Sequence, residues 1–276
     1  MGDGIERRFR LAEDIIREAG KLARAYFENR HSLTIESKGA QDFVSRADKE
    51  TEALIVSRLS LDCPQDGILG EEGGRYDSKG HGDAGHSVWV IDPIDGTANF
   101  LRGIPFWCIS LALVHEGRLE LGLIYDPVHD ELFAGRRGHG ARRIGPDAKN
   151  GGQPMPQPMQ VTGASDFRQG NIGLGYGMKL SREQHVGSID ALLLKGCEYR
   201  RLGSGALGLA YVADGRLDGF YESRLNAWDV LGGLLLVSEA GGRQNDFLAN
   251  DGLNRGNPVL AATPAFYDPL ARLFGL

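Results

Sequence analysis

Two aspartates three residues apart close a β-rich run in Trp89-Val90-Ile91-Asp92-Pro93-Ile94-Asp95-Gly96-Thr97. Like charges held that close repel, and burial drives carboxyls toward the protonated form unless a cation lies between them. A hard divalent ion such as Mg2+ meets that need, because it takes oxygen ligands and keeps positions open for water and phosphate. Gly96 and Thr97 then offer backbone N–H groups at an expected helix start, where phosphate binds readily. A plainer reading makes Asp92 a turn cap and Asp95 a helix cap. Two further acidic features weigh against it: Gly70-Glu71-Glu72-Gly73 follows a short apolar strand, and Trp228-Asp229 opens an apolar helix. Either alone reads as a cap or a solvated face; their joint occurrence points to a shared site.

These carboxylates need a scaffold, and hydrophobic periodicity supplies one. Phe9, Ala12, Ile15, Ile16, Ala19, Leu22, Ala23 and Tyr26 recur at helical spacing, and a second helix is expected from Ser45 to Leu59 with Asp48 in its first turn. Ile68 and Leu69 form a strand ending at Gly70. Ser87 to Ile91 form another that is expected to stop at Asp92-Pro93, since proline lacks the ladder donor. A meander follows over Trp107 to His115, Arg118 to Tyr125 and Glu131 to Ala134. Four prolines between Gly145 and Gln160 mark a loop, dividing the chain into an N-terminal half (1–145), a linker (146–160) and a C-terminal half (161–276). The second half alternates. Strands are expected at Ile172 to Tyr176, Leu217 to Tyr221 and Val259 to Ala262, with helices at Arg182 to Leu194, Ser204 to Ala213 and Trp228 to Ala240. The pattern is that of an α/β layered fold.

The order Asp42-Phe43-Val44-Ser45-Arg46-Ala47-Asp48, Gly70-Glu71-Glu72, Asp92-Pro93-Ile94-Asp95-Gly96-Thr97-Ala98-Asn99-Phe100 and Asn226-Ala227-Trp228-Asp229-Val230 resembles the inositol monophosphatase family over nearly the whole chain. The resemblance implies a five-layer αβαβα sandwich and a homodimer. It implies that Glu71, Asp92 and the Ile94 carbonyl hold one Mg2+, that Asp92, Asp95 and Asp229 hold a second, and that Glu71 serves a weaker third through waters. Asp48 and Thr97 would orient and deprotonate the attacking water, and Li+ would inhibit. Substrate contacts are implied for Asp95, Gly96, Thr97, Ser204, Gly205, Ala206, Glu222 and Asp229, with Arg200 and Arg201 beside the ring. The expected substrate is a small phosphorylated polyol, with myo-inositol 1-phosphate first and 3′-phosphoadenosine 5′-phosphate, fructose 1,6-bisphosphate or histidinol phosphate as alternatives. Some bacterial relatives associate with the transcription machinery, so a regulatory binding role is a further alternative.

Composition narrows the field. The chain has 276 residues, 41% hydrophobic and 25% charged, with a net charge of −6. That length suffices for a sizeable core, and the only dense basic stretch, Arg136, Arg137, Arg142 and Arg143, is too short for a nucleic-acid face. Cys63, Cys108 and Cys197 form no Cys-x-x-Cys pair, which fits reduced thiols and a cytoplasmic location. The N-terminal stretch carries charges throughout, unlike a signal peptide, and no apolar run is long enough to span a bilayer. Gly203-Ser204-Gly205-Ala206-Leu207-Gly208 fits the dinucleotide fingerprint, but Glu198 to Arg201 is too charged for a buried parallel strand. Asp-x-x-Asp differs from the Asp-x-Asp of aspartyl-phosphate enzymes, so water is the expected nucleophile. The seven histidines lack zinc-site spacing.

Overall fold

The computed structural model describes residues 2–33, 35–39, 42–76, 87–146, 155–177 and 181–276. Of the expected linker, 147–154 lies outside the described residues. The helices are α1 (Gly2–Glu28), α2 (Arg46–Asp62), α3 (Thr97–Arg102), α4 (Arg182–Leu194), α5 (Gly205–Ala213), α6 (Ala227–Glu239), α7 (Gly252–Arg255) and α8 (Pro264–Phe274). The strands begin with β1 (Ile35–Gly39), β2 (Asp42–Ser45), β3 (Gly67–Gly70), β4 (Gly74–Tyr76), β5 (Ser87–Asp95), β6 (Cys108–His115), β7 (Arg118–Asp126) and β8 (Glu131–Arg136). They continue with β9 (Ala141–Ile144), β10 (Gln157–Pro158), β11 (Asn171–Leu174), β12 (Glu198–Arg200), β13 (Gly219–Leu225), β14 (Arg243–Gln244) and β15 (Asn257–Ala262).

Five layers result. An eight-stranded sheet runs β10-β9-β8-β7-β6-β5-β3-β4 and a five-stranded sheet runs β12-β11-β13-β15-β14, beside a β1–β2 ribbon. The apolar stripe of α1, with α2, covers one face of the large sheet and buries Phe9, Ile15, Ile16, Trp89 and Trp107. The nearly all-apolar α5 and α6 lie between the two sheets, as helices hydrophobic on every side must. Helices α4 and α8 cover the outer face of the small sheet around Leu192, Phe266 and Leu270. The αβαβα arrangement is therefore the one the resemblance implied.

Local features depart from expectation for physical reasons. Strand β5 does not stop at Asp92-Pro93 but runs on to Asp95. Its partner β3 ends at Gly70, opposite Ile91, and an irregularity against β6 sets Asp92 opposite Ser110 and Asp95 opposite Cys108, so three steps on β5 meet two on β6. Proline is tolerated at such a one-sided bulge because no ladder donor is required of it. Strand β11 ends at Leu174, and β13 starts two residues later than expected and extends to Leu225. Glu198–Arg200 does form a parallel strand, but as an edge with Glu198 and Arg200 exposed, which its charge permits. The glycines beside it serve packing: a Cβ at Gly208 would lie 2.9 Å from the Phe220 ring. The three cysteines are free and buried. Among the described residues no helix is long and apolar enough to cross a membrane. Each arginine of the basic stretch has an acidic partner: Arg136 with Glu6, Arg137 with Glu120, Arg142 with Glu13, and Arg143 with Glu131 and Asp214.

Candidate active site

The bulge of β5 turns Asp92 and Asp95 toward the N-terminus of α6, which carries Asp229. One carboxylate oxygen from each of Asp92, Asp95 and Asp229 lies within 4.8 Å of the others. Helix α6 reaches this position because glycine contacts let it approach: a Cβ at Gly122 on β7 would lie 2.4 Å from Gly232 O, and one at Gly233 would lie 2.4 Å from Leu209 Cβ on α5. Asp229 is fixed by its own helix start, accepting the Asn226 N–H at 2.7 Å. Asp95 is held from the other side, where its Oδ2 accepts the Ala206 N–H at 2.7 Å and the Ser204 hydroxyl at the N-terminus of α5. Glu71 follows β3, with its N–H on Ile91 O at 3.2 Å, and its carboxylate presses on Asp92.

Electrostatics follow from this crowding. Burial, then the charges of Glu71, Asp95 and Asp229, push the Asp92 carboxyl well above its usual range. Burial raises Asp95 against the opposing pull of Ser204 and the α5 backbone, and burial with Asp95 raises Asp229 well above the ordinary value. A set of converging carboxylates that cannot all ionise unaided, with all donors oxygen, fits a hard divalent cation.

Asp48 forms a capping box with Ser45 at the start of α2, and its Oδ2 accepts both the N–H and the hydroxyl of Ser45 at 2.8 Å. Its Oδ1 lies 3.3 Å from the Thr97 hydroxyl, which also lies 2.9 Å from the Ile94 carbonyl. Burial raises the Asp48 carboxyl. Asn99 donates to Phe106 O and Leu202 O at 2.8 Å, locking the segment after β5 to the one before α5.

A cleft of about 320 Å³ opens beside the carboxylates, lined by Glu71, Asp95, Thr97, Ser204 and Glu222 among others. Gly96 and Gly205 also line it, whereas Ala206 is wholly buried behind its wall with its N–H on Asp95. Glu222 is not a strand-ending surface residue. It sits within β13, 8% exposed, and burial with the charge of Asp95 pushes its carboxyl up to about 8 against the pull of Arg201. Gly175 makes room for it, since any side chain there would overlap the Glu222 carboxylate. Arg201 lines the cleft, while Arg200 turns to Glu198. Sequence reading missed Tyr176 and Arg102 in the lining and the Asn99 clamp, none of which has a local pattern.

The layered α/β fold with an acidic, cation-fitting cleft between its sheets is that of a family of metal-dependent phosphatases: the inositol monophosphatase family model matches residues 5–274. The chain belongs to the inositol monophosphatase family. It is 35% identical over 255 residues to "Nus factor SuhB" of Pseudomonas aeruginosa, covering 91% of this chain and 89% of that relative. Among solved structures it resembles the extragenic suppressor protein suhB of Bartonella henselae, with TM-score 0.84, 32% identity and coverage of 96% and 97% of the two chains. It also resembles an inositol monophosphatase from Anabaena (Nostoc) sp. PCC 7120, with TM-score 0.78, 28% identity and coverage of 99% and 96%.

Proposed function

We infer that the chain hydrolyses a small phosphorylated polyol in a Mg2+-dependent reaction, with myo-inositol 1-phosphate as the leading substrate. The observation that carries this reading is the convergence within 4.8 Å of Asp92 and Asp95 from β5 with Asp229 from α6. In this reading Glu71, Asp92, Asp95, Asp229 and the Ile94 carbonyl would hold two or three ions. Bound magnesium supplies Lewis acidity for water and positive charge for the phosphoryl oxygens and leaving alkoxide.

The chain's own residues do the rest. Asp48, with Oδ2 occupied by Ser45, offers Oδ1 to the proton of the attacking water, and the adjacent Thr97 hydroxyl orients that water. The Ile94 carbonyl can accept from Thr97 and still present its second lone pair. Gly96 and Thr97 face the phosphate at the start of α3, ahead of the first helical bonds, which Asn99 and Phe100 make to Gly96 O. Glu222 reads the polyol hydroxyls, with Ser204, Gly205 and Arg201 beside the ring. The step forms a bond from water oxygen to phosphorus and breaks the ester bond, yielding the alcohol and inorganic phosphate.

Phosphate release from myo-inositol 1-phosphate, 3′-phosphoadenosine 5′-phosphate, fructose 1,6-bisphosphate and histidinol phosphate under Mg2+ titration tests the reading. The highest kcat/KM is expected for the inositol ester, with inhibition by Li+. Clear preference for the nucleotide overturns the substrate assignment. A second reading, a role with the transcription machinery, is favoured by the name "Nus factor SuhB" carried by the Pseudomonas relative. The two separate on an Asp92→Asn chain, which loses biological function under the enzymatic reading and keeps it under the regulatory one. A homodimer in the cytoplasm is part of the proposal, supported by the family resemblance and by the free cysteines.

A further inference from the structure

Glu52 lies one turn beyond Asp48 on α2 and is 2% exposed. Residues at i and i+4 share a helix face, so the two carboxylates look the same way. Asp48 faces Thr97, whereas Glu52 faces the turn that carries Glu71. Its Oε2 accepts the Glu72 N–H at 2.9 Å, and its Oε1 accepts the Gly73 N–H at 2.7 Å and the Tyr76 hydroxyl at 3.3 Å. The backbone closes over it: a Cβ at Gly70 would lie 2.5 Å from Glu52 Oε2, and one at Gly73 would lie 2.9 Å from Oε1. On the far side the Glu71 N–H bonds Ile91 O, the residue before Asp92. Glu71 is thus gripped between β5 and α2.

We propose that Glu52 is a positioning residue that sets the Glu71 carboxylate against Asp92 for divalent-cation binding and, through α2, fixes its distance from the Asp48–Thr97 pair. The inference rests on the reading of Glu71 as a metal ligand. Groups that orient a ligand without touching the ion typically contribute about 10- to 100-fold in metal affinity.

Calorimetric titration of the metal-free full chain with Mg2+ in the absence of substrate tests it, alongside thermal unfolding. Glu52→Ala is expected to weaken Mg2+ binding by roughly 10-fold or more. Glu52→Gln, which keeps one acceptor oxygen, is expected to fall between Ala and the natural residue, and Tyr76→Phe to shift affinity less in the same direction. Turnover should recover substantially at saturating Mg2+, a split that a general loss of stability does not produce. Unchanged Mg2+ affinity in folded Glu52→Gln and Tyr76→Phe chains, while Glu71→Ala weakens binding, overturns the role of Glu52 alone. Unchanged affinity in Glu71→Ala overturns the ligand reading and this proposal with it.

Discussion

A carboxylate that is 1% exposed and surrounded by three others is a costly group, and Asp92 is in that position. Such crowding is tolerable where the ionised forms share a cation, so the same contacts that strain the metal-free chain organise the site. Glu131 shows the opposite case. Burial pushes its carboxyl up, but the hydrogen bonds and charge of Arg216, with the charge of Arg143, outweigh burial and leave it lowered. A lowered folded value means stabilisation that is present above the ordinary glutamate range and is lost as pH falls through the folded value. Glu131→Gln is therefore expected to cost about 2 kcal/mol in denaturant unfolding near pH 7, with the gap to the natural chain closing in acid. A gap that persists unchanged in acid contradicts this. At this scale the sequence was informative for Glu71, Asp92, Asp95 and Asp229, because acidic residues beside turns and helix starts carry local patterns. It was silent on Glu52, whose partners are two backbone N–H groups and a tyrosine that no spacing reveals.

The elements place these residues through close approach. Helix α6 brings Asp229 to β5 only because Gly122 and Gly232 let helix and sheet backbones meet, so Gly122→Ala should push α6 outward. We expect a loss of about 1–3 kcal/mol in stability, typical of overpacking, together with a rise in the Mg2+ concentration needed for half-maximal turnover. Lost stability with unchanged Mg2+ dependence would separate the helix position from the site. The amphipathic stripe of α1 and the meander β6–β7–β8 were legible from periodicity alone. The C-terminal helix α8 was not, because Pro269 inside it reads as a breaker and masks the helix-start signal of Thr263-Pro264. The end of β5 was misplaced for a related reason: proline ends a strand in general but is accommodated at a bulge.

On the scale of the whole molecule, the candidate site draws on segments far apart in the sequence. Asp92 and Asp95 come from the large sheet, Asp229 from a helix sandwiched between sheets, and Ser204 and Ala206 hold Asp95 across that junction. Arg216 from the α5–β13 connection bridges to Glu131 on β8, tying that connection to the large sheet. An α/β layering followed from alternating patterns, but the five-layer order and the convergence of positions as distant as 71 and 229 came through family resemblance rather than through any local rule. The most direct test is an anomalous difference map from crystals grown with Mn2+ in place of Mg2+. Peaks are expected within ligand distance of Glu71, Asp92, Asp95 and Asp229, with Asp92 shared between ions. Full occupancy of Mn2+ elsewhere, with no peak among these four carboxylates, contradicts the account.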